Sequence, residues 1–114
     1  MSSTQNQPPA IVTLPAEIDT GNREQAYDQL CAACSSGAPV VIADFTGTRF
    51  CDAGSMRRLL DVQDRAAGRT IQLRFAIVPG HPVRRIAELL DPRRRVRVYD
   101  SPAEAAVTAP GAGG

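Results

Sequence analysis

The chain has 114 residues, room for one domain, and its 43% hydrophobic and 22% charged composition supplies an ordinary core and argues against wholesale disorder. Thirteen basic residues against twelve acidic ones leave a net charge of +1, so bulk electrostatics gives no reason to expect nucleic acid or an anionic membrane as partner. Every basic residue is arginine, which reads as the mark of a GC-rich bacterial genome.

No run reaches the roughly 18–20 apolar residues that a membrane span needs. The start MSSTQNQPPA lacks the basic residues and apolar stretch of a secretory signal. Three cysteines are an odd number, and a domain of this size folds without staples, so the expected compartment is the reducing cytoplasm.

Residues 1–9 are polar and proline-tipped and read as a flexible tail. A first strand is expected at Ala10–Leu14, followed by a turn at PAEIDTGN. Asn22 then reads as an N-cap with Gln25 three residues on, opening a helix to Ser36 with Gly37 just past its end. Tyr27, Leu30, Cys31 and Cys34 fall at i, i+3, i+4 and i+7, one face of that helix.

Pro39–Phe45 is a nearly continuous apolar run, as in a strand covered on both faces. A short connection, TGTRFC, leads to Asp52, a good N-cap, and to a second helix through Ala67 with Met56, Leu59 and Leu60 inward. Thr70–Val78 alternates apolar and polar residues, which predicts a strand with one wetter face. After PGHP a third helix places Val83, Ile86, Ala87 and Leu90 on one side, and Asp91-Pro92 stops it. A last strand at Arg95–Tyr99 precedes Ser101-Pro102-Ala103-Glu104, a capping box with proline at the first helical position. The Gly-rich end, residues 109–114, reads as a second flexible tail. Strands and helices alternate throughout, which argues for an α/β layer structure with a mostly parallel sheet.

LPAEID at 14–19, VVIADFTGTRFCDAGSMRRLL at 40–60, PVRRIAELL at 82–90 and VYDSPAEAA at 98–106 share their order and spacing with one family. Together they give a chain that resembles the STAS family, of the anti-sigma-factor-antagonist type, over roughly residues 10–108. The resemblance implies a single α/β domain with a mostly parallel or mixed sheet of four to five strands and alternating helices. It also implies a partner, an anti-sigma factor of the serine-kinase type, from which the domain releases a sigma factor, with phosphorylation on the turn before the second helix breaking the complex.

Aligned without a gap, Asp52 matches the family aspartate, while the usual phosphoacceptor falls on Gly54 and the usual glycine on Ser55. Ser55 is therefore the phosphorylation candidate, against the plainer reading of a structural hydroxyl at a helix start. Asp19, Asn22, Asp52, Gly54, Ser55, Met56, Arg57 and Arg58 are the partner-binding candidates, with helix capping a competing use of Asn22 and Asp52. Asp44 ends the apolar strand, where an anchoring hydrogen bond to the loop is expected.

Other motifs point to little chemistry. CAAC at 31–34 lies late in a helix on its apolar stripe, where core cysteine is the better reading than redox or zinc chemistry, and Cys51 reads as a small buried residue. The Arg93-Arg94-Arg95 run with Arg97 has no aromatic platform for nucleic acid and reads as a solvated loop and strand edge. His81, beside Pro82, reads as a capping or exposed residue. No phosphate-binding glycine motif is present, and no cofactor or metal is implied. Two alternatives stay open: a STAS module in another bacterial signalling assembly, and a small α/β enzyme using Asp19, Asp44 and Asp52 at the sheet edge. The oligomeric state is not specified by any of these features.

Overall fold

The computed structural model describes residues 7–107. The two expected tails, 1–9 and 109–114, lie outside the described residues apart from Gln7–Pro9. The elements run β1 (Ala10–Thr13), β2 (Glu17–Ile18), α1 (Arg23–Cys34), β3 (Val40–Asp44), β4 (Phe50–Cys51), α2 (Ala53–Leu60), α3 (Val62–Gly68), β5 (Gln72–Ala76), α4 (Pro82–Leu90), β6 (Arg97–Tyr99) and α5 (Pro102–Val107).

β1, β3, β5 and β6 form one sheet in that order, every pair parallel. β3 is central: Val40, Val41, Ile42 and Ala43 are all buried, as a strand covered on both faces demands. Its side chains alternate between two cores. Val41 and Ala43 join the large cluster with Leu30, Leu59, Phe75 and Val83 on the side of α1 to α4. Val40 and Ile42 pack with Ala76 and Ala105 on the other side, beneath α5. On the larger side Phe45 and Phe75 stack with ring centroids 4.8 Å apart.

The apolar periods put the main strands and helices where the pattern predicts them, with three departures. First, the helix expected from Asp52 to Ala67 divides at Asp61, whose N–H is shared between the Arg57 and Arg58 carbonyls at 3.2 Å each, a tightened last turn that re-aims the chain into α3. Second, the segments read as turn and connection hold β2 and β4, two-residue strands that pair in parallel as a second small sheet.

Third, the face of β5 expected to be wetter is covered by α5. Arg74 is 1% exposed there. Its guanidinium donates to the carbonyl of Ala105 in the last turn of α5 and to Gln72 Oε1 at 2.7 and 3.2 Å, and it lies 5.6 Å from the Tyr99 ring. A cation at the carbonyl end of a helix is favourably placed, so a charge in the strand pattern serves as the anchor of α5. Alternation alone marks Arg74 as outward. Only the return of α5 over that face makes the outward side an interior.

His81 caps α4, its Nδ1 accepting from the Val83 N–H at 3.1 Å. Ser101 Oγ accepts from the Glu104 N–H at 3.1 Å as the expected box requires, while Glu104 Oε1 reaches back to the Asp100 N–H at 2.8 Å, one residue before the cap. Arg84 ties α4 to the sheet through the Ile77 carbonyl at 3.0 Å and Asp100 at 2.7 Å.

Arg74→Ala leaves the Ala105 carbonyl and the Gln72 amide oxygen without their charged donor in a buried site, and is expected to lower stability by about 2–3 kcal/mol in urea denaturation. Amide exchange should accelerate most in α5, with β3 affected only through the global loss. Unchanged exchange in α5 would show that Arg74 does not anchor it.

Candidate functional site

The small β2–β4 pair builds the site. Its register sets Ile18 beside Cys51, so the residues that follow, Asp19 and Asp52, leave the pair side by side. The Asp52 N–H continues the ladder to the Ile18 carbonyl at 3.3 Å. Ile18 and Cys51 are buried beneath, and burial pushes the Cys51 thiol up to about 12, which keeps it a neutral core group. Cys34 is likewise buried on the inner face of α1 with its thiol raised by burial, and Cys31 is half-buried beside it. The core reading of the cysteines fits these positions.

Asp19 through Asn22 form a tight turn into α1. The Asp19 carbonyl accepts from the Asn22 N–H at 3.2 Å and the Arg23 N–H at 2.9 Å, and Asp19 Oδ1 accepts from the Gly21 N–H at 2.9 Å. Asn22 precedes α1, but its side chain makes no capping bond to the helix. Its Oδ1 accepts from the Asp19 N–H at 3.0 Å and its Nδ2 donates to the Glu17 carbonyl at 2.8 Å. The capping role expected of Asn22 is thus replaced by another: it closes the turn backward onto β2, because both ends of its amide find backbone groups there.

Asp52 does cap α2. Its Oδ1 accepts from the Ser55 N–H at 2.7 Å. That bond is the main cause holding its carboxyl below the usual range, with the nearby Ser55 hydroxyl and the Arg23 charge adding to it. Ser55 itself is wholly buried, and its Oγ finds no hydrogen-bond partner of normal geometry.

The site candidates therefore divide. Asp19, Gly54 and Arg57 are exposed, and Asn22 and Asp52 are half-exposed, all at the mouth of the β2–β4 pair or on the first turns of α2. Met56 is not a surface contact: it is wholly buried in the large core, since the inward stripe of α2 begins with it. Ser55 is no surface contact in the folded domain either, because the same face carries it inside. Arg58 is committed internally. Its guanidinium grips Glu24 with bonds of 2.9 and 3.0 Å and stacks 3.6 Å from the Tyr27 ring, fastening α2 to α1. The same contact holds the Glu24 carboxyl below its ordinary range.

Two residues join the site that sequence patterns did not single out. Phe50 is 51% exposed at the start of β4, an apolar group facing outward beside the mouth. Arg23, the first residue of α1, reaches across to the first turn of α2, where its Nη1 lies 2.8 Å from the position of a β-carbon on Gly54. Neither carries a local signal, for one is an alternating strand residue and the other an ordinary helical arginine.

Asp44 stands apart, at the end of β3, where its Oδ1 accepts from both the N–H and the hydroxyl of Thr46 at 2.9 and 2.6 Å. This is the loop anchor expected of it. Asp19 and Asp52 each spend a carboxylate oxygen on local backbone, and His81 spends Nδ1 on the cap of α4. The arrangement is an exposed turn-to-helix surface braced from behind.

Such a parallel α/β sheet with an exposed strand–turn–helix face defines a small interaction domain. The chain belongs to the STAS domain family, whose family model matches residues 1–105. No curated protein matches it. Among the described residues no helix is long and apolar enough to cross a membrane.

The depressed Asp52 carboxyl fixes a pH dependence. A carboxylate whose folded pKa lies below its unfolded value contributes stability above the unfolded pKa and loses it as pH falls through the folded one. Asp52→Ala is expected to cost about 1 kcal/mol at pH 7. The gap between variant and native chain should stay open through the ordinary aspartate range and narrow only at lower pH, as the native carboxyl takes up its proton. A gap that stays constant with pH would assign the loss to something other than the charged cap.

Proposed function

We propose that the chain is an anti-sigma factor antagonist: it binds a kinase-type anti-sigma factor through the face around the β4–α2 turn and so releases a sigma factor. Membership of the STAS family, which consists of interaction modules, supports a binding role. The observation that carries the reading is that exposed Asp19, Gly54 and Arg57 and half-exposed Asp52 converge on the start of α2, while buried Met56 seats that helix in the core and Arg58 ties it to α1 through Glu24. A face held in place by a buried side chain and an ion pair to the neighbouring helix loses little freedom on docking.

Phosphorylation at Ser55 belongs to the same proposal, under a condition that its burial sets. Transfer of a phosphoryl group from ATP to Ser55 Oγ, with loss of the hydroxyl proton and release of ADP, requires the first turn of α2 to open. The added charge of about −1.5 to −2 then has no place inside, so the turn stays displaced and the docking face is lost.

Titration calorimetry of the chain against the kinase-type anti-sigma factor of its own cell should show binding, and addition of the chain should release the bound sigma factor. Absence of both sinks the reading. With the same kinase at saturation and ATP, Asp52→Ala, whose cap is weaker by about 1 kcal/mol, should take phosphate at Ser55 roughly fivefold faster than the native chain, read by mass spectrometry. Phosphate on another residue, or none on either chain, removes Ser55 from the switch.

A further inference from the structure

We propose that Arg23 is the recognition cation of this docking face, seated there by Gly54, and that it takes a carboxylate on the partner protein. The inference rests on the docking role of the face and adds the group that reads the partner. Glycine is the poorest helix former after proline, yet Gly54 lies in the first turn of α2 without the positive φ that would require it. What the missing side chain provides is room. Arg23 Nη1 stands 2.8 Å from where a β-carbon would be, closer than any side chain at 54 permits.

The guanidinium so placed is half-buried and makes no hydrogen bond or ion pair with the described residues. Its neighbour Arg58 is engaged with Glu24 and the Tyr27 ring, which leaves Arg23 as the half-buried cation of this face with open donors. Asp52, whose charge interacts with Arg23, spends one carboxylate oxygen on the Ser55 N–H, and Asp19 spends one on the Gly21 N–H. The Asp52 charge attracts Arg23 without filling its donors, and Arg23 in turn helps keep Asp52 ionised. A planar fork of unfilled N–H donors matches a carboxylate in geometry and charge. Arg57, exposed and three residues beyond Gly54 on the same side of α2, adds a second cation, and exposed Phe50 supplies apolar contact beside them. The complement of this face is an acidic protein surface with an apolar patch.

The atom displaced by a side chain at 54 is the tip of a flexible arginine, so Gly54→Ala moves Arg23 while leaving the fold intact. This separates recognition from folding. The full chain carrying Phe50→p-benzoylphenylalanine is expressed in its own cell and irradiated, and the adduct is identified by mass spectrometry. One protein should be captured, and Arg23→Ala or Gly54→Ala should each lower its yield about tenfold, the loss expected for one charged hydrogen-bonded contact. Both variants should melt no lower than the native chain. The double variant should fall no further than Arg23→Ala alone, since Gly54 acts only through Arg23. A captured kinase-type anti-sigma factor supports both proposals. A different captured protein that still depends on Arg23 overturns the anti-sigma reading and upholds this one. Capture that ignores both substitutions, additive losses in the double variant, or no adduct at all overturns the role of Arg23.

Discussion

The pairing of Ile18 with Cys51 is the contact on which the site depends. It is two residues long on each side, and its side chains are wholly buried, so its position is fixed by the core and not by the length of its ladder. A one-residue slip would carry Glu17 or Phe50 inward and Ile18 or Cys51 into water. That penalty locks the register, and the register sets Asp19 beside Asp52. The turn that starts α1 and the turn that starts α2 then open on the same side of the molecule. Arg23 can reach Gly54 only because these two helix starts are neighbours.

The second helix is held in a manner suited to presenting a surface. Met56 and Leu59 seat it in the core between α1 and α4, and Arg58 clamps it laterally to Glu24 and Tyr27. Asp52 fixes its first turn. Its outward groups thus keep their spacing without help from a partner. An exposed ion pair alone contributes little, but here one guanidinium serves as salt bridge and ring stack together, which limits the freedom of both partners. Among the described residues, the Ser55 hydroxyl is the buried side-chain group without a hydrogen bond of normal geometry, and it sits in this capped first turn.

The reverse side of the sheet follows a different logic. α5 is short and brings little apolar surface, chiefly Ala105 with Ala106 against Val40, Ile42, Ala76 and Tyr99. Arg74 compensates with directed hydrogen bonds into the end of that helix. A charged residue can be interior on this side because its donors meet carbonyl and amide oxygens, and because its stem lies along the sheet.

The sequence by itself determined the layer order. Period-two and period-3.6 apolar patterns, the continuous run of β3, the caps at Asp52, His81 and Ser101, and the anchoring of Asp44 are local properties, written in residues that are neighbours along the chain. The four spaced motifs likewise sufficed for the family, because each is a continuous run of chain covering one element or the junction between consecutive ones. Only the tertiary structure decided what depends on residues far apart in the chain. The Glu24–Arg58 clamp joins positions 34 residues apart, and the Arg74–Ala105 bond joins positions 31 apart. Arg23 meets Gly54 for no reason visible in either segment. Asn22 shows the limit of local reading too: its type fits a cap equally well, yet its side chain bonds backward to Glu17 and Asp19, five and three residues before it. Local chemistry fixes what each segment prefers to be. Which preferences are used, and which residues are left outward for a partner, is set by the packing that covers the rest.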